Sequence, residues 1–241
     1  MDVKKINKLY QCNVCSSLLP NPSGTFMSMN DALINSSNSA CVWLIRVPVN
    51  KVFLEFQSFD IWQSVDCADA YVQVYDGNSK SAPVVLSRSC GRTLPSSLVS
   101  SGSTMLVEYV TGGSVPALGF QATYNTVTCG ATLTASNGSF TSPNFPSAYP
   151  SLMNCTWVIR APVGYKVALV VDPFSLEPVQ GCKYDYLIIR DGNQSTSPNI
   201  GKFCGTMTVP GFISTGSGVI IHFHSDDSIQ ASGFKATYAF V

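Results

Sequence analysis

The residues best suited to chemistry lie in one stretch, FSLEPVQGCKYDYLIIRDG at positions 174–192, and in the tetrad SDDS at 225–228. The first stretch holds Glu177, Cys182 and Asp185 close together, followed by an apolar run, Tyr186, Leu187, Ile188 and Ile189, and an Asp191-Gly192 turn. Calcium is a hard cation that takes about six to eight oxygens from carboxylates, carbonyls and water in flexible geometry. Two carboxylates on a loop, tied by a cysteine to the start of a strand, make half of such a cage. Asp226, arriving from the end of another strand, would be the third carboxylate. Three carboxylates that converged without a cation would repel and raise one another's pKa.

His222 and His224 are the only histidines. With Asp226 they spell H-x-H-x-D, a spacing that zinc or a hydrolytic dyad could use. Ile221 and Phe223 alternate with them as the apolar pair, so the strand periodicity predicts both histidines on its wet face, as surface residues. There is no H-E-x-x-H, G-x-S-x-G, Walker A or G-x-G-x-x-G motif, and nothing places a nucleophile beside a base. No catalytic residue is expected in this chain.

The elements that must position the acids follow from composition and repetition. The chain has 241 residues, 45% hydrophobic and only 12% charged, enough for one large core or two ordinary ones. Lys plus Arg and Asp plus Glu number 14 each, so no net charge steers the protein to nucleic acid or an anionic membrane. No apolar run reaches the roughly 18 residues of a membrane span. Nine cysteines and four N-x-S/T sequons, at Asn35, Asn137, Asn154 and Asn193, point to a secreted, extracellular glycoprotein. Residues 1–20 lack a signal-peptide core, which leaves either a leader already removed or a longer protein of which this is a part.

The chain contains itself twice. Cys15, Cys41, Trp43, Pro48, Cys90, Gly91, Phe120 and Tyr124 recur 114 positions later as Cys129, Cys155, Trp157, Pro162, Cys204, Gly205, Phe234 and Tyr238. Cys67 and Asp76-Gly77 recur at 115, as Cys182 and Asp191-Gly192, so one residue is inserted locally. A period this long means tandem domains, 13–124 and 129–241, joined by residues 125–128. Short β-branched runs (Trp157–Ile159, Lys166–Val171, Tyr186–Ile189, Val219–Phe223) end at Gly, Pro, Ser and Asn turns, with no convincing helix. The expected fold class is all-β, two tandem antiparallel sandwiches. Nearest-neighbour cysteine pairing suits each unit, although four cysteines allow three connectivities.

The second unit resembles a CUB domain along its whole length. It carries Cys129-Gly130 with Leu133, G-S-F-x-S-P-N-F-P at 138–146, Tyr149-Pro150, C-x-W at 155–157 and A-P-x-G at 161–164. Then follow F-x-L-E at 174–177, C-x-Y-D at 182–185, Asp191-Gly192, Cys204-Gly205, S-D-x-S at 225–228 and G-F-x-A-x-Y at 233–238. The first unit is similar to a more divergent CUB domain. The resemblance implies the bridges Cys15–Cys41, Cys67–Cys90, Cys129–Cys155 and Cys182–Cys204, each closing a loop that stabilises by roughly 3–4 kcal/mol in the chain-entropy model.

It also implies a Ca2+ ligand set of Glu177, Asp185, Asp226 and a main-chain carbonyl near Ser228, with Tyr149 supporting. Tyr149, Glu177, Asp226 and Ser228 would then form a rim that meets a Lys or Arg of an extracellular protein or egg-envelope glycoprotein. In the first unit Trp62, Ala70, Gly112 and Asn35 stand in for Glu177, Asp185, Asp226 and Tyr149, so no calcium is expected there. Asp66 and Asp69 lie nearby but out of register, and Trp62 reads as a packed loop anchor in preference to a binding aromatic.

Residues 1–12, MDVKKINKLYQC, resemble the terminal helix and last cysteine of an astacin-type zinc metalloprotease domain, Val3, Ile6 and Tyr10 having helical spacing. Such a domain followed by two CUB domains is similar to the amphibian hatching enzymes. On that reading Zn2+ belongs to a catalytic domain outside this chain, which would also hold the partner of Cys12. The rival reading gives Cys12 a free or intermolecular thiol. A substrate-targeting module of a hatching protease is the expectation, and a free-standing adhesion or glycan-binding protein the alternative.

Overall fold

The computed structural model describes residues 14–28, 40–111 and 118–241, and of residues 14–16 the backbone only. The leader with Cys12, the sequon at Asn35, Gly112 and the side chain of Cys15, with its bridge to Cys41, lie outside the described residues. The chain forms two compact units, the first ending at Thr126 and the second running Val127–Val241.

The first unit contains β1 (Val14–Leu19), β2 (Ser23–Met27), β3 (Ala40–Arg46), β4 (Lys51–Asp60), β5 (Tyr71–Tyr75), β6 (Val84–Ser89), β7 (Leu98–Val99), β8 (Thr104–Val110) and β9 (Gly119–Val127). The second contains β10 (Cys129–Leu133), β11 (Asn137–Thr141), β12 (Asn154–Arg160), β13 (Val167–Ser175), β14 (Tyr186–Asp191), β15 (Asn199–Phe203), β16 (Phe212–Ile213), β17 (Gly218–His224) and β18 (Gly233–Phe240). The sole helical piece among the described residues is a 3-10 turn at Val65–Cys67. The fold is all-β, and no described helix is long and apolar enough to cross a membrane, which says nothing of a β-barrel.

Each unit has a five-stranded and a four-stranded sheet: β1-β3-β8-β5-β6 with β2-β9-β4-β7, and β10-β12-β17-β14-β15 with β11-β18-β13-β16. Adding nine to every strand of the first unit gives the order in the second, so the sequence repeat is also a repeat of topology. The pairing is antiparallel except at one edge, where β1 runs parallel to β3 and β10 to β12. A parallel pair needs a crossover connection. Here the chain passes through β2, or β11, in the opposite sheet before returning.

Alternation along the strands builds the core. In the second unit Trp157, Ile159, Leu187, Ile189, Ile221 and Phe223 face Phe140, Leu169, Val171, Phe234 and Tyr238 across the sandwich. Trp157 stacks on Phe140 with ring centroids 4.8 Å apart and meets the edge of Phe234. In the first unit Trp43 meets Phe120 edge-on at 5.4 Å. Such pairs add about 0.5–1.5 kcal/mol beyond area burial.

Turn chemistry also repeats. Both carboxylate oxygens of Asp76 accept the amide of Ser101, and both of Asp191 accept that of Thr215. The hydroxyls of Ser28 and Ser142 accept the amides of Phe120 and Phe234 at the starts of β9 and β18. Three bridges are formed among the described side chains, Cys67–Cys90, Cys129–Cys155 and Cys182–Cys204. Cys129 and Cys155 are register partners of the parallel edge pair.

Candidate metal centre

Four loops converge at one end of the second sandwich. Tyr149 lies between β11 and β12, Glu177 just after β13, Asp185 just before β14 and Asp226 just after β17. The Glu177 segment is fixed first: Leu176 donates to the Gly205 carbonyl at 3.0 Å, and Gly205 donates back to that of Glu177 at 3.1 Å. Gly205 adjoins Cys204, whose bridge to Cys182 ties this arm to the loop that ends at Asp185. The Asp226 side is laced by Ser225, fully buried, whose hydroxyl donates to the Pro150 carbonyl at 2.9 Å and accepts the Met153 amide at 3.0 Å.

At the centre is Asp185, 0% exposed. Its Oδ2 accepts the Tyr149 hydroxyl at 2.5 Å and its Oδ1 the Asp226 amide at 2.8 Å. The Tyr149 hydroxyl also accepts the amide of Glu177 at 3.1 Å. One phenol therefore ties Asp185 to the Glu177 backbone, while its ring packs edge-on against Phe223. Asp226 Oδ1 accepts both the amide and the hydroxyl of Ser228, at 2.8 and 3.4 Å. Gly233 must stay small, because a Cβ there would lie 1.8 Å from the Ser142 hydroxyl.

Glu177, Asp185 and Asp226 each present a carboxylate oxygen within 4.8 Å of the other two. Glu177 and Asp185 are buried and Asp226 is half-buried. Glu177 Oε2 is buried without a hydrogen-bond partner among the described residues. Burial, then the charges of Asp185 and Asp226, pushes the Glu177 carboxyl above the ordinary glutamate range. Burial and the bond to Asp185 likewise push the Tyr149 phenol up. A buried carboxylate oxygen without a donor, facing two more carboxylates, suits a cation. The all-oxygen donor set suits calcium over zinc, which prefers nitrogen and sulfur.

Several residues stand differently from expectation. Tyr149 is 1% exposed, so it braces the site from beneath and offers a partner no surface. Its hydroxyl is already committed to Asp185 and Glu177, which is why the ring is drawn inward. The histidines lie on the face opposite the buried Ile221 and Phe223, as the alternation predicts, but are half-buried there and not fully exposed. His224 stacks on Tyr186 at 5.1 Å, and His222 Nδ1 lies 3.2 Å from the Thr156 hydroxyl. Burial, then the charges of His224 and Arg190, lowers the His222 pKa to about 4. Neither histidine joins the carboxylate group.

In the first unit Trp62 is 40% exposed and not a packed anchor, and Ala70 is buried where Asp185 stands in the second. Among the described sequons Asn137 is exposed at the head of β11, while Asn154 and Asn193 are half-buried. Ser225 was missed as a positioning residue; its place at the head of S-D-x-S was the available signal.

Comparison with known proteins adds the family. The CUB domain model matches residues 15–124 and 129–238. Embryonic protein UVS.2 of Xenopus laevis is 43% identical over 242 residues, covering 100% of this chain and 47% of that protein. Tolloid-like protein 2 of Mus musculus is 38% identical over 238 residues, covering 98% of this chain and 23% of that protein. A structure described as the crystal structure of the MASP-1 CUB2 domain bound to Ca2+ is 30% identical, covers 45% of this chain and 96% of its own, and has a TM-score of 0.41. The chain thus spans about half the length, or less, of these curated relatives. With both halves matched by one family model, the chain belongs to the CUB family, as two CUB domains in tandem.

Proposed function

We propose that the second CUB domain binds one Ca2+ through Glu177, Asp185 and Asp226, with a main-chain carbonyl near Ser228, and that this tip recognises a basic side chain of an extracellular protein. The observation that carries the reading is the convergence of three carboxylates, two of them buried, one of which, Glu177, has an Oε2 without a donor among the described residues. Two unit charges about 5 Å apart repel by roughly 3 kcal/mol at an effective dielectric near 20. Solvated surface acids relieve such repulsion by turning apart. Here Tyr149 and the Asp226 amide hold Asp185 in place, so the repulsion is relieved by proton uptake at Glu177, whose pKa is raised, or by a cation, which would satisfy all three acids together.

Calcium, when bound, supplies the positive charge that lets the loops keep their acids together. Asp185 orients the site, being held at both oxygens. Glu177 contributes its unpartnered oxygen. Asp226, half-buried, has an edge toward solvent and can accept a Lys or Arg in a charge-assisted bond that weakens with salt.

The wider role proposed is a non-catalytic recognition module of a secreted protein that works with an astacin-type zinc protease domain, as in embryo hatching. Support comes from the likeness of residues 1–12 to the end of such a domain and from the similarity to Embryonic protein UVS.2. Three formed bridges suit an oxidising, extracellular compartment. Isothermal titration tests the site: Asp226→Ala should abolish calcium uptake and leave the fold intact, and unchanged uptake by that variant would refute the assignment.

A further inference from the structure

Around the carboxylate trio the loops expose apolar side chains. Leu152 is 67% exposed, Ile229 65% and Tyr184 47%. Each is tied by the backbone to an acid of the site. The Leu152 amide donates to the Asp226 carbonyl at 2.7 Å, Tyr184 immediately precedes Asp185, and Ile229 follows Ser228, whose amide bonds Asp226 Oδ1. The Leu152 and Ile229 loops are laced together, since the Ser225 amide donates to the Met153 carbonyl, its hydroxyl donates to the Pro150 carbonyl, and the Tyr149 amide donates to the Ala231 carbonyl.

Leu152 and Ile229 also share an uncommon backbone state, with φ of +58° and +54°. A β-branched residue at positive φ is a genuine outlier, and Gly or Asn would fill either position without strain. The chain places large apolar side chains there and leaves them in water. Energetic centres of recognition are ringed by contacts that exclude water from them. The acids supply the charge, and these three exposed residues sit on the loops that meet at the same tip.

From this juxtaposition we infer that the tip recognises a lysine or arginine flanked by apolar side chains, with Leu152, Ile229 and Tyr184 gripping the flanks while the acids take the cation. This rests on the calcium reading above and goes beyond it in specifying the sequence around the basic residue. The acids alone would accept any accessible cation, whereas the apolar surround discriminates among them.

The test uses the full chain with two probes, acetyl-Gly-Lys-Gly-amide and acetyl-Leu-Lys-Leu-amide, titrated by NMR in calcium and in EDTA. Calcium uptake is measured separately by calorimetry. The chain should prefer the leucine-flanked peptide, in calcium only. Leu152→Asn and Ile229→Asn, which keep the positive φ accessible, should take up calcium normally. Each should lose roughly tenfold in affinity for that peptide, the worth of one apolar contact, and be unchanged toward the glycine-flanked one. Equal binding of the two peptides by the parent chain, or full retention of the preference in both variants, would overturn the inference while leaving calcium binding intact. A parent chain that takes up no calcium would instead overturn the reading beneath it, and this inference with it.

Discussion

The two units carry the same nine-strand topology and the same capping residues, yet their loop tips have diverged. At the second tip Glu177 and Asp185 are buried beside Asp226, braced by Tyr149. At the first, the corresponding positions hold an exposed Trp62 and a buried Ala70. Asp66 and Asp69 lie in that loop but are exposed, and Asp69 is joined to its surroundings through its amide, which donates to the Ser64 hydroxyl. A bridge crosses each tip at the same place, Cys67–Cys90 and Cys182–Cys204. The scaffold therefore sets where the loops end, and the side chains alone decide what they hold. Glu108 and His222, 114 positions apart, make the same point on the sheets. Glu108 pairs with Tyr75 and Lys80, whereas His222 lies beside Thr156.

The contrast can be broken most forcefully at its centre. Asp185→Ala would strip the Tyr149 hydroxyl and the Asp226 amide of their acceptor, so denaturation in EDTA should show a loss of about 2–4 kcal/mol, with calcium uptake abolished. The mirror change, Ala70→Asp, puts a carboxylate into a buried position without a tyrosine brace; it should destabilise by a similar amount and add no calcium. Tyr149→Phe comes next, at about 1–2 kcal/mol, with calcium bound more weakly but still bound.

Glu177 supplies a pH test. Its pKa is raised in the fold above an ordinary value of 4.5, so over that window the folded state binds more protons than the unfolded one. The contribution of Glu177 to stability must then fall as pH rises from about 4.5 through the folded pKa. In EDTA, the melting temperature of the parent should fall relative to that of Glu177→Gln across this window, and saturating calcium should remove the difference. The smallest effect is expected at the first tip. Trp62→Glu, on an exposed side chain, should shift stability by no more than about 0.5 kcal/mol and should not confer calcium binding.

Much of this architecture was legible from residue spacing. The offset of 114 between matching cysteines, tryptophans and tyrosines carried the two units, and alternating apolar runs carried β12, β13, β14 and β17. The three acids could be named because each sits at a strand end beside a recognisable motif. The parallel edge pair could not be read, because alternation reports which face a residue takes and not which way its neighbour runs. Burial of Tyr149 was hidden for a related reason. A tyrosine beside a proline reads as loop surface, and contacts with residues far along the chain, Asp185, Glu177 and Phe223, draw it inward. The histidines take the outer face that alternation with Ile221 and Phe223 predicts, but they are half-buried there because Tyr186, on the neighbouring strand, covers His224 from the side. Trp62, expected to be packed, stands 40% exposed, while its neighbour Ile61 takes the place in the core.

The central claim, that one tip holds a cation and its twin does not, is tested most directly by the number of calcium ions bound per chain. Equilibrium dialysis of the full chain against labelled calcium should give one ion, falling to zero in Asp226→Ala. Two ions would contradict the distinction between the tips, and none at saturating calcium would contradict the site itself.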